Sequence, residues 1–551
     1  MKKKFGLLCI VLAAVMAFAA CGGSDTGNGG GGGSGRPAGT KIIIYAGGSS
    51  EFSWVKGTEE AAVIEYIEQK YYEDTHNSID FQIAYLGEDM RTKLASEIAA
   101  GGQVDIAISH TRGEGSGIDE WAIENDMFYD IADVLYDYAP NLYDAVEGTP
   151  LDSLTNSNNQ TVGIPSVINP YKFGILVRKD LMERCGYTDD SEKAASGDYE
   201  LVDNIETFEE MCKAMNGITG NSYAVTGAIW DIEKTFVGAY ANAGYFTKGY
   251  VDTNNDGTPD SILMGGAAPA FGDMLALQSR WASTGIISVE ANSILLDQAE
   301  ANFISGRTGV FIEDPTIQHL IEVARKTKAA NADAEFTVLG ALRAKKSDDP
   351  ATAKKGFMRN PYATFGAVLL KNTTKARDIM RFLNWVYKNE DNYNLCRYGI
   401  EGTHWVNNGD GTYSFPEGKS EYLTRKPYSG ILTLVENQNM SNLTYDGYTA
   451  EEKHWITDIA GDKNNYVENE VVDYIFTNTR AMQTTYETAF TKLHTSAKQC
   501  WAGLEDPLAM DVNGKAKFTN WSATYIADMA TVTQMWTNEF LLMKAARAAR
   551  G

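Results

Sequence analysis

The sequence predicts an α/β protein that begins with a parallel sheet. Short apolar, β-branched runs alternate with segments in which apolar residues recur every three or four positions, first between residues 41 and 108 and again from residue 171. Parallel strands need long crossover connections, usually helices, so this alternation is typical of a parallel sheet covered by helices. In such sheets, ligands bind beyond the carboxyl ends of the strands.

Three strands are predicted in the first unit, at residues 41–45, 79–85 and 104–108. The first and third are short apolar runs, and the second alternates apolar with polar residues. The segments 47–54 and 109–117 follow the first and third strands. Because the carboxyl ends of parallel strands lie at one edge of the sheet, both segments are expected on the ligand side.

Two helices are predicted between these strands. The first begins near Glu59, and its buried face consists of Val63, Ile64, Ile67 and Tyr71. Glu65, Glu68 and Lys70 lie at the intervening positions and are expected to face water. The second helix carries Met90, Leu94 and Ile98 and ends at the glycine pair 101–102.

A second α/β unit is predicted from residue 171 onwards. It begins with a strand at 173–177 and a helix at 180–185. Thr207 and Glu210 are spaced as a capping box that opens a further helix, which carries Phe208, Met211 and Met215. The segment 161–170 contains two prolines, which favour an extended crossing between the units.

Composition limits the classes of function. The chain has 551 residues, of which 44% are hydrophobic, enough for two large lobes. Its formal charge of −25 argues against binding to nucleic acid or to an anionic surface.

The N-terminal pattern predicts export and lipid anchoring. Lysines at 2–4 precede an apolar stretch at 5–17 and small residues before Cys21. This resembles a signal peptide with a bacterial lipobox over residues 1–21, in which the cysteine is lipidated and becomes the mature N-terminus. An ordinary cleaved signal with a chance cysteine is the alternative. The Gly- and Ser-rich residues 22–40 would form a flexible tether.

Four further cysteines remain outside this region: Cys185, Cys212, Cys396 and Cys500. They are compatible with up to two disulfides whose pairing the sequence does not give. Buried free thiols are an equally good interpretation.

Six stretches in the middle of the chain form an ordered series: 161–182, 207–215, 230–245, 303–311, 365–386 and 399–405. In this order, and behind a lipobox, they resemble the family 1 extracellular solute-binding proteins of ABC importers, especially the lipoprotein branch. The sharpest match is the run from Gly399 to Trp405. The tail from residue 445 matches the family poorly.

The resemblance implies a periplasmic-binding-protein-like fold of two α/β lobes joined by hinge crossings, with the ligand in the cleft between them. The N-lobe is expected at 41–165 and 357–398, and the C-lobe at 172–356 and 402–551. It further implies a monomer without catalytic activity or catalytic cofactor, which captures a carbohydrate, here an oligosaccharide, and delivers it to ABC permease subunits. Contact with the membrane would occur only through the lipid anchor.

A carbohydrate site needs aromatic platforms for the C–H faces of sugars and polar groups for the hydroxyls. The candidates are Trp54, His110, Tyr171, Trp230, Asp231, Asp314, Tyr362, Glu401 and Trp405. For each aromatic residue, the alternative to ligand binding is packing in the core. For His110, the alternative is the role of an ordinary polar residue. Trp230 and Trp405 are favoured because the resemblance places them in the cleft, whereas the spacing of Trp281 and Trp385 predicts core positions. Asp314 stands where the family often has a glycine-proline-tryptophan run, so that platform is absent.

One acidic segment has the spacing of a calcium loop. Asp252, Asn254, Asp256 and Asp260 occupy the oxygen-donating positions, with Gly257 at the turn. The bidentate glutamate is missing, because Leu263 occupies its position. The alternatives are a structural calcium ion and a plain acidic hairpin tip.

Two other classes of function stay open at this stage. A surface glycoside hydrolase would need a pair of catalytic carboxylates, which 73 acidic residues allow. A sensor or adhesin would bind without transport. The absence of nucleophile-elbow and H-E-x-x-H patterns favours the binding protein.

Overall fold

Two β-sheets organise the part of the chain that the structure describes. The structure is a computed structural model, and it describes residues 36–46, 59–85, 90–108, 122–123, 125–167, 169–252, 259–313, 315–359, 361, 363–417, 434–476 and 483–550. The predicted lipidation site Cys21 and the tether up to residue 35 lie outside these ranges.

The described strands are β1 Thr40–Ala46, β2 Ile79–Tyr85, β3 Ile106–Ile108, β4 Ile164–Val167, β5 Ile175–Arg178, β6 Tyr187–Thr188, β7 Glu200–Leu201, β8 Val225–Thr226, β9 Lys248–Val251, β10 Ser261–Met264, β11 Val310–Phe311, β12 Phe336–Leu339, β13 Phe357–Met358, β14 Ala363–Leu369, β15 Val406–Asn407, β16 Thr412–Ser414, β17 Thr444–Tyr445 and β18 Tyr466–Val467.

The described helices are α1 Glu59–Thr75, α2 Met90–Ala99, α3 Ala132–Tyr138, α4 Pro140–Val146, α5 Thr149–Asp152, α6 Lys179–Arg184, α7 Ser191–Ala195, α8 Ile205–Thr219, α9 Ile229–Phe236, α10 Phe271–Thr284, α11 Leu296–Ile304, α12 Ile317–Ala330, α13 Ala376–Val386, α14 Glu390–Tyr398, α15 Ala450–His454, α16 Gln483–Trp501, α17 Lys517–Asp528 and α18 Ala530–Arg550. None of these helices has the length and apolar character needed to cross a membrane.

The first sheet has the strand order β2-β1-β3-β14-β4. Strand β1 pairs in parallel with β2 and β3, which confirms the parallel start predicted from the alternating pattern. Strand β14 runs antiparallel to β3 and β4. The chain therefore leaves this sheet after β4 and returns to it nearly two hundred residues later.

The apolar face of α1 packs under the first sheet as predicted, but one polar position differs. Glu68, expected to face water, is only 4% exposed, and its Oε1 accepts a hydrogen bond from the N–H of Phe81 at 2.6 Å. Strand β2 is at the edge of the sheet, so this N–H points away from β1 and needs another acceptor. The carboxylate provides that acceptor.

The second sheet has the order β12-β5-β11-β8 and its own hydrophobic core. Strand β5 is antiparallel to both β12 and β11, whereas β11 and β8 are parallel. Helix α8 covers this sheet. The prediction that Thr207 and Glu210 form a capping box at its start is wrong. The helix begins earlier, with Asn204 as the cap, because the Asn204 side chain accepts the N–H of Thr207 at 2.8 Å.

The C-terminal helices contribute to the core of the second sheet. Leu493 of α16 and both Trp536 and Phe540 of α18 are buried in the same cluster as residues of β5 and α8. Leu434 and Val435, in contrast, are buried in the core of the first sheet. The segment after residue 402 therefore supplies residues to both cores.

Helix α18 also contacts the side of the molecule that carries the first sheet. Nη2 of Arg547 donates hydrogen bonds to the carbonyl oxygens of Asp152, at 2.7 Å, and Asp473, at 2.5 Å. The carboxylate of Glu539 accepts a hydrogen bond from the Ser157 hydroxyl at 2.8 Å. Asp152 ends α5, a helix that packs against the first-sheet core through Leu151.

The predicted core tryptophans are confirmed, because Trp281 is fully buried and Trp385 is 3% exposed. The four cysteines in the described part of the chain are all free thiols, three of them buried and Cys185 partly buried. The structure therefore agrees with the interpretation of these cysteines as free thiols.

Candidate functional site

The candidate site lies at one edge of the second sheet. Strands β8 and β11 are parallel neighbours, with Val225 beside Val310 and Thr226 beside Phe311. The residues that follow them therefore emerge at the same edge. Strand β5 runs the opposite way, so it starts at this edge, where the N–H of Gly174 donates to the Pro315 carbonyl at 3.0 Å. This is the edge at which ligands bind in open α/β sheets.

The two parallel strand ends are tied together by a side chain. The buried carboxylate of Glu313, two residues after β11, accepts a hydrogen bond from the backbone N–H of Ala228, two residues after β8. The backbones approach closely here, since a Cβ atom on Gly227 would lie 3.0 Å from the nitrogen of Glu313. Helix α9 begins immediately after Ala228, so this contact fixes where its first turn sits.

A cavity of about 360 Å³ opens at this edge, within the size range of small-molecule sites. Its lining combines the start of α9 with loops from several other elements: Ala228, Trp230, Asp231, Glu233, Lys234, Phe246, Thr247, Ile294, Glu313 and Met358. The site is thus assembled from segments far apart in the sequence.

Aromatic rings form one side of this cavity. The indole of Trp230 is partly buried, and its centroid lies 4.8 Å from that of Phe246 and 4.8 Å from that of Trp501. Trp501 is buried and packs edge-on behind it. Because its neighbours hold it from behind, Trp230 presents a rigid apolar surface to the cavity, as stacking on a sugar ring requires.

Four charged side chains also belong to the lining. Lys234 lies one helical turn from Asp231, with its Nζ 3.3 Å from the Asp231 carboxylate. The buried Glu233 accepts the N–H of Tyr245 at 2.5 Å through Oε1. Three carboxylates and one ammonium group therefore surround the aromatic surface, and carboxylate oxygens are good acceptors for hydroxyl groups.

A buried ion-pair network lies directly after Met358. Arg359 is 3% exposed, and its guanidinium group contacts Glu468 and Asp473, each at 2.6 Å. Burial lowers the pKa of Arg359, but the hydrogen bonds and charges of Asp473 and Glu468 outweigh burial and raise it. The arginine therefore stays charged at any physiological pH. The hydroxyl of Tyr171 donates to the same Glu468 at 3.0 Å.

The structure brings together two of the residues predicted for the site, Trp230 and Asp231, in the cavity lining. Tyr171 is 7% exposed and belongs to the Arg359 network. Trp405 is elsewhere: it is 4% exposed, packs against Tyr398, and donates its indole N–H to the Gly399 carbonyl at 2.9 Å.

Glu401 is exposed beside Trp405 and not part of the cavity lining. The roles of Trp405 and Glu401 in ligand binding stay predictions, and in this structure neither shares a site with Trp230. The other candidates fall outside the described residues: Trp54, His110, Asp314 and Tyr362.

Several lining residues were missed by sequence reasoning, among them Glu233, Lys234, Phe246 and Glu313. The first two lie one helical turn on from Trp230 and Asp231, and Phe246 directly follows Tyr245, the last residue of the stretch 230–245. Helical spacing from Trp230 was therefore an available signal for Glu233 and Lys234.

The proposed calcium loop lies between two paired strands. Strands β9 and β10 are antiparallel neighbours, and the N–H of Asp260 donates to the Val251 carbonyl at 2.8 Å. Asp252 and Asp260 therefore stand next to the ends of these two paired strands. Asn254 and Asp256 lie outside the described residues, so calcium binding stays a prediction.

Comparison with solved structures shows which fold this is. The N-glycan transport solute-binding protein NgtS of Streptococcus pneumoniae is 14% identical, with a TM-score of 0.62 over 92% of this chain and 99% of that chain. An HMO-binding, ABC-transporter-associated solute-binding protein of Bifidobacterium longum infantis is 13% identical, with a TM-score of 0.62 and the same coverage, 92% and 99%. The alginate-binding protein AlgQ2, in a structure without calcium ion, is 12% identical, with a TM-score of 0.64 over 91% and 98%.

The chain therefore has the fold of the solute-binding proteins of ABC transporters, and the predicted fold class is confirmed. At these identities the similarity establishes the fold, and function has to be argued from the site. No protein-family model and no curated protein matches the sequence.

Proposed function

We propose that this protein is a lipid-anchored extracellular solute-binding protein that captures an oligosaccharide and delivers it to an ABC permease. The observation that carries the proposal is the cavity at the ligand-binding edge of the second sheet. It combines the rigid, partly exposed indole of Trp230 with the carboxylates of Asp231 and Glu313. Aromatic surfaces with polar groups at the rim suit sugars, which have apolar faces and hydroxyl edges.

The structural neighbours support a carbohydrate ligand. NgtS is described in complexes with Man5GlcNAc and Man1GlcNAc, and the S. pneumoniae protein FusA, with a TM-score of 0.61 at 12% identity, is described in complex with kestose. All are binding proteins in their descriptions, which supports binding over catalysis for this chain.

The proposed location follows from the sequence alone. The basic start, the apolar stretch and Cys21 supply an export signal with a lipidation site, and the Gly- and Ser-rich tether supplies reach. The mature protein would act as a monomer on the outer face of the cell membrane. Mass spectrometry of the protein from its native membrane tests this, since a diacylglyceryl-modified Cys21 at the N-terminus is expected.

A structural calcium ion bound by the segment between β9 and β10 is part of the proposal. Asp252, Asn254, Asp256 and Asp260 supply carboxylate and amide oxygens, the hard donors that calcium prefers. A thermal unfolding scan with calcium and with a chelator tests it. Calcium should raise the unfolding temperature of the natural protein, and should leave that of an Asp252→Asn, Asp256→Asn variant unchanged.

The central experiment is a ligand screen on the purified protein. Thermal shift and then calorimetry would be run with tetrasaccharides of the malto-, cello-, manno-, xylo- and galacto-series and with fructo-oligosaccharides. At least one of these sugars is expected to raise the unfolding temperature. Chromatography of the same mixtures tests the hydrolase alternative, because a binding protein leaves the sugars intact. A screen without any shift, or a shortened sugar in the mixture, would contradict the proposal.

A further inference from the structure

We propose that the cavity accepts uncharged sugar units and rejects sugars that carry a carboxylate, such as uronic and sialic acids. The inference rests on the proposed function and adds the chemical class of the ligand at the same site. It follows from the charges of the lining, from how these charges are fixed, and from the chemistry of the aromatic surface.

The lining is negative. Asp231, Glu233 and Glu313 contribute three carboxylates, and Lys234 contributes the ammonium group. That ammonium group lies 3.3 Å from the Asp231 carboxylate, so its field is partly cancelled before a ligand arrives. A sugar carboxylate in the cavity would therefore meet more negative than positive charge, and like charges placed together in a site oppose binding.

Two of these carboxylates cannot move out of the way. Glu313 is 8% exposed and is held by the N–H of Ala228, and Glu233 is 5% exposed and is held by the N–H of Tyr245. Both partners are backbone groups at fixed points of the fold. Buried charges are poorly screened by water, so their repulsion of an anion is stronger than that of surface charges.

The described lining has one cationic side chain, that of Lys234, and it is already paired with Asp231. Sites that bind carboxylates use arginine, whose planar guanidinium group makes paired hydrogen bonds to both oxygens. Among the described residues that line the cavity, none is an arginine. Trp230 and Phe246 offer surfaces suited to the C–H face of a neutral sugar ring, and the carboxylates can accept hydrogen bonds from its hydroxyls.

The fold does not decide this preference by itself. AlgQ2 has the same fold and is described as alginate-binding, and alginate is a polymer of uronic acids. A protein of this fold can therefore take anionic sugars when its lining is suited to them. The proposed preference for neutral sugars therefore depends on the residues that line the cavity of this protein.

The first test compares neutral and acidic tetrasaccharides in the same thermal-shift screen. The acidic set consists of mannuronate, guluronate and galacturonate tetramers, each matched in length to the neutral set. Shifts are expected with one or more neutral sugars and with none of the acidic ones. Acidic sugars that bind as well as the neutral ones would overturn the inference and leave the proposed function standing. A screen in which neither set binds would overturn the proposed function itself.

The second test removes the negative charges one at a time. The probes are the neutral hexose tetrasaccharide with the largest shift and the same sugar oxidised at C6 to the uronic acid. Asp231→Asn and Glu313→Gln keep a hydrogen-bond acceptor but lose the charge, and each should improve binding of the oxidised sugar relative to the neutral one by about tenfold. Asp333→Asn is the matched control, because Asp333 is exposed and lies before β12, at the opposite edge of the sheet. An unchanged ratio in both cavity variants would contradict the proposal.

Discussion

The carboxylate of Glu313 accepts a hydrogen bond from the backbone N–H of Ala228, so that the ends of two parallel strands are joined directly beneath the cavity. Glu313 is 8% exposed and Ala228 is 9% exposed, so water has little access to this contact. The positions of the residues after β8 and β11 thus depend on the Glu313 side chain, which no local sequence pattern indicates.

Replacing Glu313 by alanine should destabilise the protein. The N–H of Ala228 would be left buried without its acceptor, which costs about 1–3 kcal/mol. Chemical denaturation followed by tryptophan fluorescence measures the loss. Glu313→Gln is the control, because its side-chain oxygen can still accept the bond and should retain most of the stability. Equal losses in both variants would show that the charge, and not the hydrogen bond, matters there.

Replacing Arg359 by methionine should be more damaging. Asp473 is 4% exposed and would lose its cationic partner, and a buried charge left alone in this way costs about 3–5 kcal/mol. Arg381→Met is the matched control, since both side chains of its pair with Asp378 are exposed, at 46% and 37%, and such surface pairs contribute about 0–1 kcal/mol. Denaturation midpoints of the two variants would be compared. Similar losses would mean that the Arg359 network does not stabilise the fold.

Stability should depend on pH through Asp180. Burial raises the pKa of Asp180, but hydrogen bonds and charge from Arg178 outweigh it and hold the pKa below the usual 3.8. A carboxylate with a lowered pKa in the folded state stabilises it above the pKa of the unfolded state, and this contribution disappears as pH falls through the folded pKa. Asp180→Asn should therefore be less stable than the natural protein at neutral pH, with a difference that narrows below about pH 4. Asp198→Asn, at an exposed position, should follow the natural protein throughout.

The free thiols give a chemical test of the core. Burial raises the pKa of Cys396 and Cys212, and raises that of Cys500 to about 12, so these thiols are not ionised near neutral pH. A thiol reagent should react slowly with them in the folded protein and quickly in denaturant, because the thiolate is the reactive species. Partly buried Cys185 should react first. If fewer than four of these cysteines react after denaturation without a reducing agent, the missing thiols form a disulfide.

Replacing Trp230 by alanine should weaken sugar binding by about thirtyfold or more, since a buried aromatic anchor contributes roughly 2 kcal/mol or more to a site. Isothermal calorimetry with the sugar found in the screen measures the change. Trp521→Ala is the matched control, because Trp521 is also a partly buried tryptophan but lies in α17, away from the cavity lining. Unchanged binding in the Trp230 variant would remove the cavity as the ligand site.

The parts of the fold that could be predicted from sequence depend on local patterns. The three parallel strands of the first sheet and the buried faces of α1 and α8 follow from spacing that is visible within a few residues. Glu68 shows where this fails: its partner is the N–H of an edge strand, and the pattern within α1 contains no information about that strand. The same holds for the cap of α8, where Asn204 precedes the pair that resembles a capping box.

The site could be predicted only in part. Trp230 and Asp231 were predicted because the stretch 230–245 resembles a family segment in which an aromatic residue stacks on sugar. Arg359, Glu468 and Asp473 come together only through tertiary structure, since more than one hundred residues separate the arginine from its partners. Trp405 resembles a sugar platform in sequence, but residues on both sides of it in the chain, Tyr398 and Tyr413, enclose it in a small cluster.

Arg547 has a mechanical consequence for the molecule. One guanidinium nitrogen holds the carbonyls of Asp152 and Asp473, and it can reach both only while they stay within about 6 Å of each other, twice the length of a hydrogen bond. Any opening that separates these two points must give up one charged hydrogen bond, at a cost of about 1.5–3 kcal/mol. Helix α18 thereby adds a free-energy cost to any motion that moves Asp152 away from Asp473.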